Sequence, residues 1–375
     1  MAKLFENTNI SSLVLKNRFV RSATGEGMAD IEGACTQKMV DLMSVLAKGG
    51  AGLIITGHAF VTLDGRMGPW QTGAHCDAML PGLSRVADAV HKEGAKIALQ
   101  LNHSGCYSMK LLPDTDPNGA SASSLETNGI PDCREMTKTE IRSTVRGFVD
   151  AAVRAKKAGF DGVQIHAAHN SLLSQFLSPI YNRRLDEYGG SIKHRIKMAL
   201  EICNDIRSAV GNSYPVLFKI NSNEYIEGGF GTHDMMYFAE NLEKAGVDAI
   251  EMSGGTRHPL GMHPVARLGN PKGLYKEAYY TAAAKIYKRE IGVPLILVGG
   301  IRSYEVANFL ISEGITDYVS FCRPLIREPN LIQRWEKGSR HRSTCVSCNL
   351  CYNEGHGGEG VCCAIDKKSE RVSLK

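Results

Sequence analysis

The sequence predicts an α/β protein, a (β/α)8 barrel with a short C-terminal cysteine-rich extension, on three observations. Eight short apolar, β-branched runs recur along the chain, helix-spaced segments separate most of them, and this rhythm stops near residue 338, where cysteines crowd together. The runs are NRFVRSAT (17–24), AGLIITG (51–57), KIALQLN (96–102), DGVQIHA (161–167), PVLFKIN (215–221), DAIEMSG (248–254), PLILVGG (294–300) and DYVSFCR (317–323).

Between them, MLPGLSRVADAVHKEGA, TVRGFVDAAVRAKKAGF, SIKHRIKMALEICNDIRSAV and HDMMYFAENLEKAGV carry the 3.6-residue apolar spacing of helices. Several end in the glycine expected just past a helix C-terminus. Strand then helix, eight times, is the pattern of a parallel sheet closed on itself. A doubly wound open sheet is the alternative, and it fits less well because no G-x-G-x-x-G follows the first run. The chain divides into a barrel of residues 1–337 and a tail of residues 338–375. Residues 103–140 are rich in Gly, Pro, Ser, Asn and Asp, a long loop expected to cover the barrel mouth.

The 375 residues, 43% hydrophobic and 22% charged, suit an ordinary globular protein with ample material for a large core. A net charge of +5 without basic runs argues against nucleic acid as a partner. The N-terminus MAKLFENTNISS lacks the apolar stretch of a signal peptide and no run is long enough to span a membrane, so the expected location is cytoplasmic. Thiols there stay reduced. Of eleven cysteines, five lie in the last 31 residues, a density that points to metal binding rather than disulfides.

In a parallel barrel, chemistry sits where strands end. The strand-end residues are Ser22, Ala23, Thr24 and Gly25, then Gln100 and His103, His166 and His169, Lys219 and Asn221, Ser253 to Gly255, Gly299 and Gly300, and finally Cys322 and Arg323. His166 and His169, at i and i+3 just beyond a strand, can both donate to one oxygen and so polarise a carbonyl or bind an anion. A zinc site is the competing chemistry and lacks an obvious third ligand; a purely structural histidine is the plainer alternative. Gly299 and Gly300 allow close backbone approach, and with Arg323 they make a phosphate site after the seventh and eighth strands.

These residues, together with LFENTNISSLVLKNRFVRSAT, IALQLNHSG, IHAAHNSLLSQFLSPIYNRRLDEYGGSIKHR, FKIN, LVGGIRS and FCRPLIREP, resemble the Old Yellow Enzyme family of FMN-dependent oxidoreductases from residue 3 to about 335. The tail resembles that of the branch containing 2,4-dienoyl-CoA reductase and trimethylamine dehydrogenase. The resemblance implies FMN held non-covalently across the mouth, with residues 22–25 at the flavin edge, Gln100 on its pyrimidine portion and Lys219 near N1 and O2. Gly57, Gly300, Cys322 and Arg323 would serve the ribityl phosphate or its surroundings. His166 and His169 would grip the acceptor oxygen of the substrate. Two positions depart from the family pattern. Ser171 stands where relatives carry a proton-donating Tyr, so water, the substrate, or Tyr107, Tyr181 or Tyr225 would supply the proton. Gly25 stands where relatives place a flavin-tuning Cys or Thr.

In CVSCNLCYNEGHGGEGVCC, Cys345, Cys348 and Cys351 are spaced C-x2-C-x2-C, with Cys362 and Cys363 eleven and twelve residues further on. Zinc sites usually pair two separated knuckles, whereas three thiols in one compact loop suit a 4Fe-4S cluster. The resemblance implies the same, and it favours Cys363 over Cys362 as fourth ligand. Longer relatives continue into a Rossmann-type FAD/NAD(P) module that this sequence does not show. The expected electron source is therefore NAD(P)H binding directly, or a separate donor protein; a structural cluster is the other option. The expected activity is reduction of an activated C=C bond of a small α,β-unsaturated carbonyl compound, by a homo-oligomer. The alternatives are an FMN/iron-sulfur dehydrogenase of amines and, from another class, an electron-transfer flavoprotein subunit.

Overall fold

The computed structural model describes residues 3–110, 116–273 and 276–367. The parts of the long loop, the 255–275 segment and the tail that fall at 111–115, 274–275 and 368–375 lie outside the described residues.

Eight strands form the barrel: β1 (Phe19–Arg21), β2 (Leu53–Ile55), β3 (Lys96–Asn102), β4 (Gly162–Ala167), β5 (Val216–Asn221), β6 (Ala249–Ser253), β7 (Leu295–Val298) and β8 (Tyr318–Phe321). Every neighbouring pair is parallel, and Val319 of β8 pairs with Phe19 of β1, so the ring closes. Closure rules out the open doubly wound sheet. Each expected run contains its strand. The outer helices include α1 (Gln37–Lys48), α2 (Leu80–Lys92), α3 (Lys138–Lys157), α4 (Lys197–Val210), α5 (Thr232–Lys244), α6 (Thr281–Glu290) and α7 (Tyr304–Ser312). The start of α3 is fixed by a capping box, in which Thr137 accepts from the Glu140 amide and Glu140 accepts from the Thr137 amide.

The inward faces of the strands change character along the barrel axis. At the bottom, Val20, Leu53, Ile55, Ala98, Leu217, Ala249, Ile296 and Tyr318 form one apolar cluster, plugged by Ile10, Leu13 and Leu15 of an N-terminal antiparallel hairpin. Two residues further along, the same faces present Ser22, Gln100, Lys219, Glu251 and Ser320, all buried. Side chains alternate faces along a strand, so this two-residue step carries the interior from a dry plug to a polar layer under the mouth.

Two expectations about the loops change. The described part of residues 103–140 contributes nothing to the wall of the mouth cavity. Within it Cys106 and Cys133 are joined as a disulfide with Cα atoms 5.2 Å apart, against the expectation of reduced thiols throughout. The two residues are 27 apart in sequence, and only the folded loop brings them together. Among the described residues no helix is long and apolar enough to cross a membrane.

Candidate active site

A cavity of about 250 Å³ opens at the C-terminal ends of the strands. It is bordered by Ser22, Ala23, Thr24, Gly25, Gln100, His166, His169, Lys219, Gly299, Gly300, Cys322 and Arg323. Of the expected barrel residues Gly57, His103, Asn221, Gly254 and Gly255 stand outside its wall.

Gly57 has a different reason to be glycine. A Cβ there would come within 2.0 Å of Glu26 Oε2 and 2.3 Å of the Thr24 carbonyl oxygen. Its amide donates to Glu26 Oε1 at 2.7 Å, and the same oxygen accepts from Arg21 at 2.9 Å. Arg21 and Glu26 are both 3% exposed, and Arg21 also donates to the Ile55 carbonyl. This buried pair shapes the 22–26 segment that borders the cavity. The sequence reading missed it because Arg21 lies inside a run read as a strand.

The polar layer is a continuous network. Gln100 donates to Gln164 at 2.7 Å, Gln164 donates to Glu251 at 3.0 Å, and Ser320 donates to Glu251 at 2.9 Å. Lys219 lies 3.2 Å from Glu251 and donates to Ser22 at 2.8 Å. Burial pushes the Glu251 carboxyl upward, but the Lys219 charge and hydrogen bonds from Ser22, Ser320 and Gln164 outweigh it, leaving the group below its ordinary value. Glu251 therefore sets a counter-charge against Lys219 in a buried place. Its signal in the sequence was a lone acid in an apolar strand, DAIEMSG.

His166 is the last residue but one of β4, beside Lys219 in the adjacent strand, and His169 follows in a left-handed turn, φ 58° with Asn170 at 61°. Such backbone is costly away from glycine, and two in succession fold the segment back so that both rings face the cavity 5.4 Å apart. His169 Nε2 lies 2.7 Å from Ser253 Oγ, while His166 Nδ1 is buried without a partner. Burial, then neighbouring positive charge, holds both imidazoles well below their usual pKa. They are neutral at pH 7, each with one N–H to give.

Ser171 does not face the cavity; its hydroxyl donates to the His166 carbonyl at 2.8 Å. Tyr107 and Tyr181 bond to each other at 2.9 Å outside the cavity, and Tyr225 also lies outside it. The phenols that do border it are Tyr279, Tyr280 and Tyr352, and Tyr280 donates to the Gly254 carbonyl. His103 is likewise not in the wall: it is fully buried 3.7 Å from Asp64 and accepts from the Gly105 amide, which ties two loops together.

The tail is part of this site. Asn349, Cys351, Tyr352, Gly355 and Val361 border the cavity, Val361 donates to the Glu26 carbonyl, and a Cβ on Gly27 would strike the Gly355 carbonyl. Beside it, Cys345, Cys348, Cys351 and Cys363 border one small cavity with Arg323 and Arg327, and Arg327 donates to Cys363 at 3.3 Å. Cys362 faces away toward Glu354. Among the described residues no three metal-ligating side chains converge on a single ion position. His58, Trp70, Arg257 and Tyr352 also border the main cavity; the first three come from loops with no periodic signal and Tyr352 from the short tail helix Leu350–His356, and the sequence reading missed them.

A parallel barrel whose mouth carries a cation on a buried carboxylate, two neutral histidines and a glycine-lined end is the architecture of a flavin-type oxidoreductase. The model of the NADH:flavin oxidoreductase / NADH oxidase family matches residues 3–342, and the chain belongs to that family. It is 35% identical to an NADH oxidase of Thermoanaerobacter brockii over 92% of this chain and 53% of that protein, so it spans about half of that relative's length. The structure is similar to a 2-naphthoyl-CoA reductase in complex with 2-naphthoyl-CoA (TM-score 0.85, 27% identity, 93% of this chain and 54% of that one). It is also similar to the Old Yellow Enzyme homologue of Zymomonas mobilis (TM-score 0.76, 25% identity, 90% and 94%). The expected Old Yellow Enzyme membership therefore holds, and with it FMN and a nicotinamide dinucleotide as the supported cofactors.

The cavity suits FMN on its own evidence. Gly25 borders the cavity, and a Cβ added there would meet only His58 Nε2, at an ordinary contact distance of 3.6 Å. Arg302 Nε in the wall is buried without a partner. Gly299 and Gly300 have φ of 117° and 79°, and a Cβ on either would strike the Tyr280 or Tyr279 ring.

Proposed function

We propose that this protein is an FMN-dependent oxidoreductase that reduces the activated C=C bond of α,β-unsaturated carbonyl compounds, with NAD(P)H or a donor protein as electron source. The observation that carries this reading is the pair of neutral imidazoles on one cavity, His166 buried and His169 half-buried, beside a lysine paired with a buried carboxylate. FMN would rest against Ser22, Ala23, Thr24, Gly25, Gln100 and Lys219, with its phosphate end toward Gly299, Gly300, Cys322 and Arg323; bound there it supplies hydride chemistry. His166 and His169 each donate one hydrogen bond to the substrate's carbonyl oxygen. Charge builds on that oxygen as the β-carbon is reduced, so these bonds strengthen in the transition state. With Ser171 turned to the backbone, the α-carbon takes its proton from water or from Tyr352.

The same reading assigns residues 1–337 to the catalytic barrel and 338–375 to a segment for a 4Fe-4S cluster on Cys345, Cys348, Cys351 and Cys363. Cubane ligands bind different irons, so they need not converge on one point. The orientation of Ser171 supports a second reading, a dehydrogenase of amines, because amine oxidation needs no proton donor at that position. Anaerobic mixing separates the two. Photoreduced protein should regain its oxidised flavin absorbance on adding an enone and yield the saturated ketone in equal amount. Bleaching of the oxidised protein by methylated amines, with no reoxidation by the enone, would establish the dehydrogenase instead.

A further inference from the structure

The charges around the main cavity are unequally compensated. Lys219 is paired with Glu251, and Glu26 with Arg21. Arg302 donates to the Ile301 carbonyl and Ser347 Oγ, and Arg323 to the Arg267 carbonyl and Asn349 Oδ1. Arg257 stands apart. Its two terminal nitrogens meet only the Met67 thioether, at 3.9 and 4.0 Å, and the Tyr352 hydroxyl at 3.4 Å. Its guanidinium lies over the Tyr107 ring, 5.4 Å from the centroid. Among the described residues it has no carboxylate within ion-pair distance.

Its position is nevertheless fixed. The Arg257 amide donates to Asn170 Oδ1 at 2.6 Å, and Thr256 donates to the same oxygen at 3.1 Å. Asn170 directly follows His169, so one residue ties the cation to the segment that presents the histidine pair. The fork of the guanidinium, occupied only by a thioether and a phenol, matches the two oxygens of a carboxylate.

We propose that Arg257 is a specificity-determining residue that binds a carboxylate on the substrate, so that the preferred substrates are conjugated carbonyl compounds bearing a free carboxylate. The substrate class rests on the reductase reading; the anion site does not. In binding, the conjugated carbonyl meets His166 and His169 while the carboxylate meets Arg257, and the two contacts together fix which face of the alkene is presented.

The test uses the FMN-loaded full chain. Chemically reduced protein is mixed anaerobically with 4-oxo-2-pentenoate and, separately, with its methyl ester. Binding without turnover is followed through Trp70, which borders the cavity, with 4-hydroxybenzoate and its methyl ester. The acid should bind roughly 10- to 100-fold more tightly than the ester, the size of one charge-assisted contact. Arg257→Gln should remove that preference while leaving the ester nearly unchanged, and Arg257→Lys should restore part of it. Equal binding of acid and ester to the unaltered protein would overturn the proposal. So would an equal loss for both in Arg257→Gln, or a change confined to the KM for the nicotinamide donor. Acid-selective binding without turnover of either oxo compound would uphold the anion site and count against the reductase reading alone.

Discussion

The strand-borne half of the site and its tail-borne half are built on different principles. On the strands, position follows from the two-residue alternation: Ala98 then Gln100, Leu217 then Lys219, Ala249 then Glu251, each apolar at the plug and polar at the mouth. Their geometry is fixed by backbone pairing, Lys219 opposite His166 on one side and Glu251 on the other. In the tail, position follows from single contacts: Val361 on the Glu26 carbonyl, Gly27 against Gly355, Ser343 on the Arg302 carbonyl. The strand half is a network whose members depend on one another. The tail half is a set of attachments around four thiols, and it should be alterable with the barrel intact.

The sharpest way to break the strand half is Glu251→Ala. It leaves the Lys219 ammonium buried without its counter-charge and strands Gln164 and Ser320, at a cost of about 3–5 kcal/mol, read as a lower denaturant midpoint. The folded carboxyl titrates below its unfolded value of about 4.3, so the stabilisation is complete above that pH and disappears as pH falls through the lower folded value. The acid limb of the stability profile should therefore flatten in the variant.

Next in size is His166→Ala. Losing one of two donors at the developing charge should lower turnover by about 10²–10³-fold with flavin content unchanged. Because both histidines are held below about 6.5, the rate should show no histidine inflection between about pH 6.5 and 8. Stability should decline as pH falls from about 6.5 toward their lower folded values, since the unfolded state takes up those protons first. Smaller again is Gly57→Ala. The added methyl must displace Glu26, an overpacking cost of about 1–3 kcal/mol, seen in thermal unfolding together with weaker flavin retention.

The same contrast explains what could be read in advance. All eight strands were legible because β-branched runs and helical spacing are local properties. The residues at their ends follow from one rule about parallel barrels, and the structure places most of them on one cavity, leaving out His103, Asn221, Gly254 and Gly255. Glu251, Gln164 and Arg21 were hidden inside runs read for their apolar character, and only the register shows that they meet. Gly57 looked like a point of cofactor approach, whereas it is Glu26 that approaches it. Arg257, His58 and Trp70 lie on loops, where spacing carries no direction, and Tyr352 lies on the tail helix Leu350–His356, too short to show a period. The Cys106–Cys133 bond depends on how a long loop folds back on itself. In the tail, spacing singled out three cysteines but left Cys362 and Cys363 open; the structure turns Cys363 toward the other three and Cys362 toward Glu354.

The division of labour between barrel and tail is tested most directly by flavin, iron and sulfide content of protein purified without oxygen, for the unaltered chain, Cys363→Ser and Cys362→Ser. The account predicts about one FMN per chain in all three, and about four iron and four sulfide atoms in the unaltered chain and Cys362→Ser, lost in Cys363→Ser. Zinc in place of iron, iron lost from Cys362→Ser instead, or flavin lost together with iron in Cys363→Ser would contradict it.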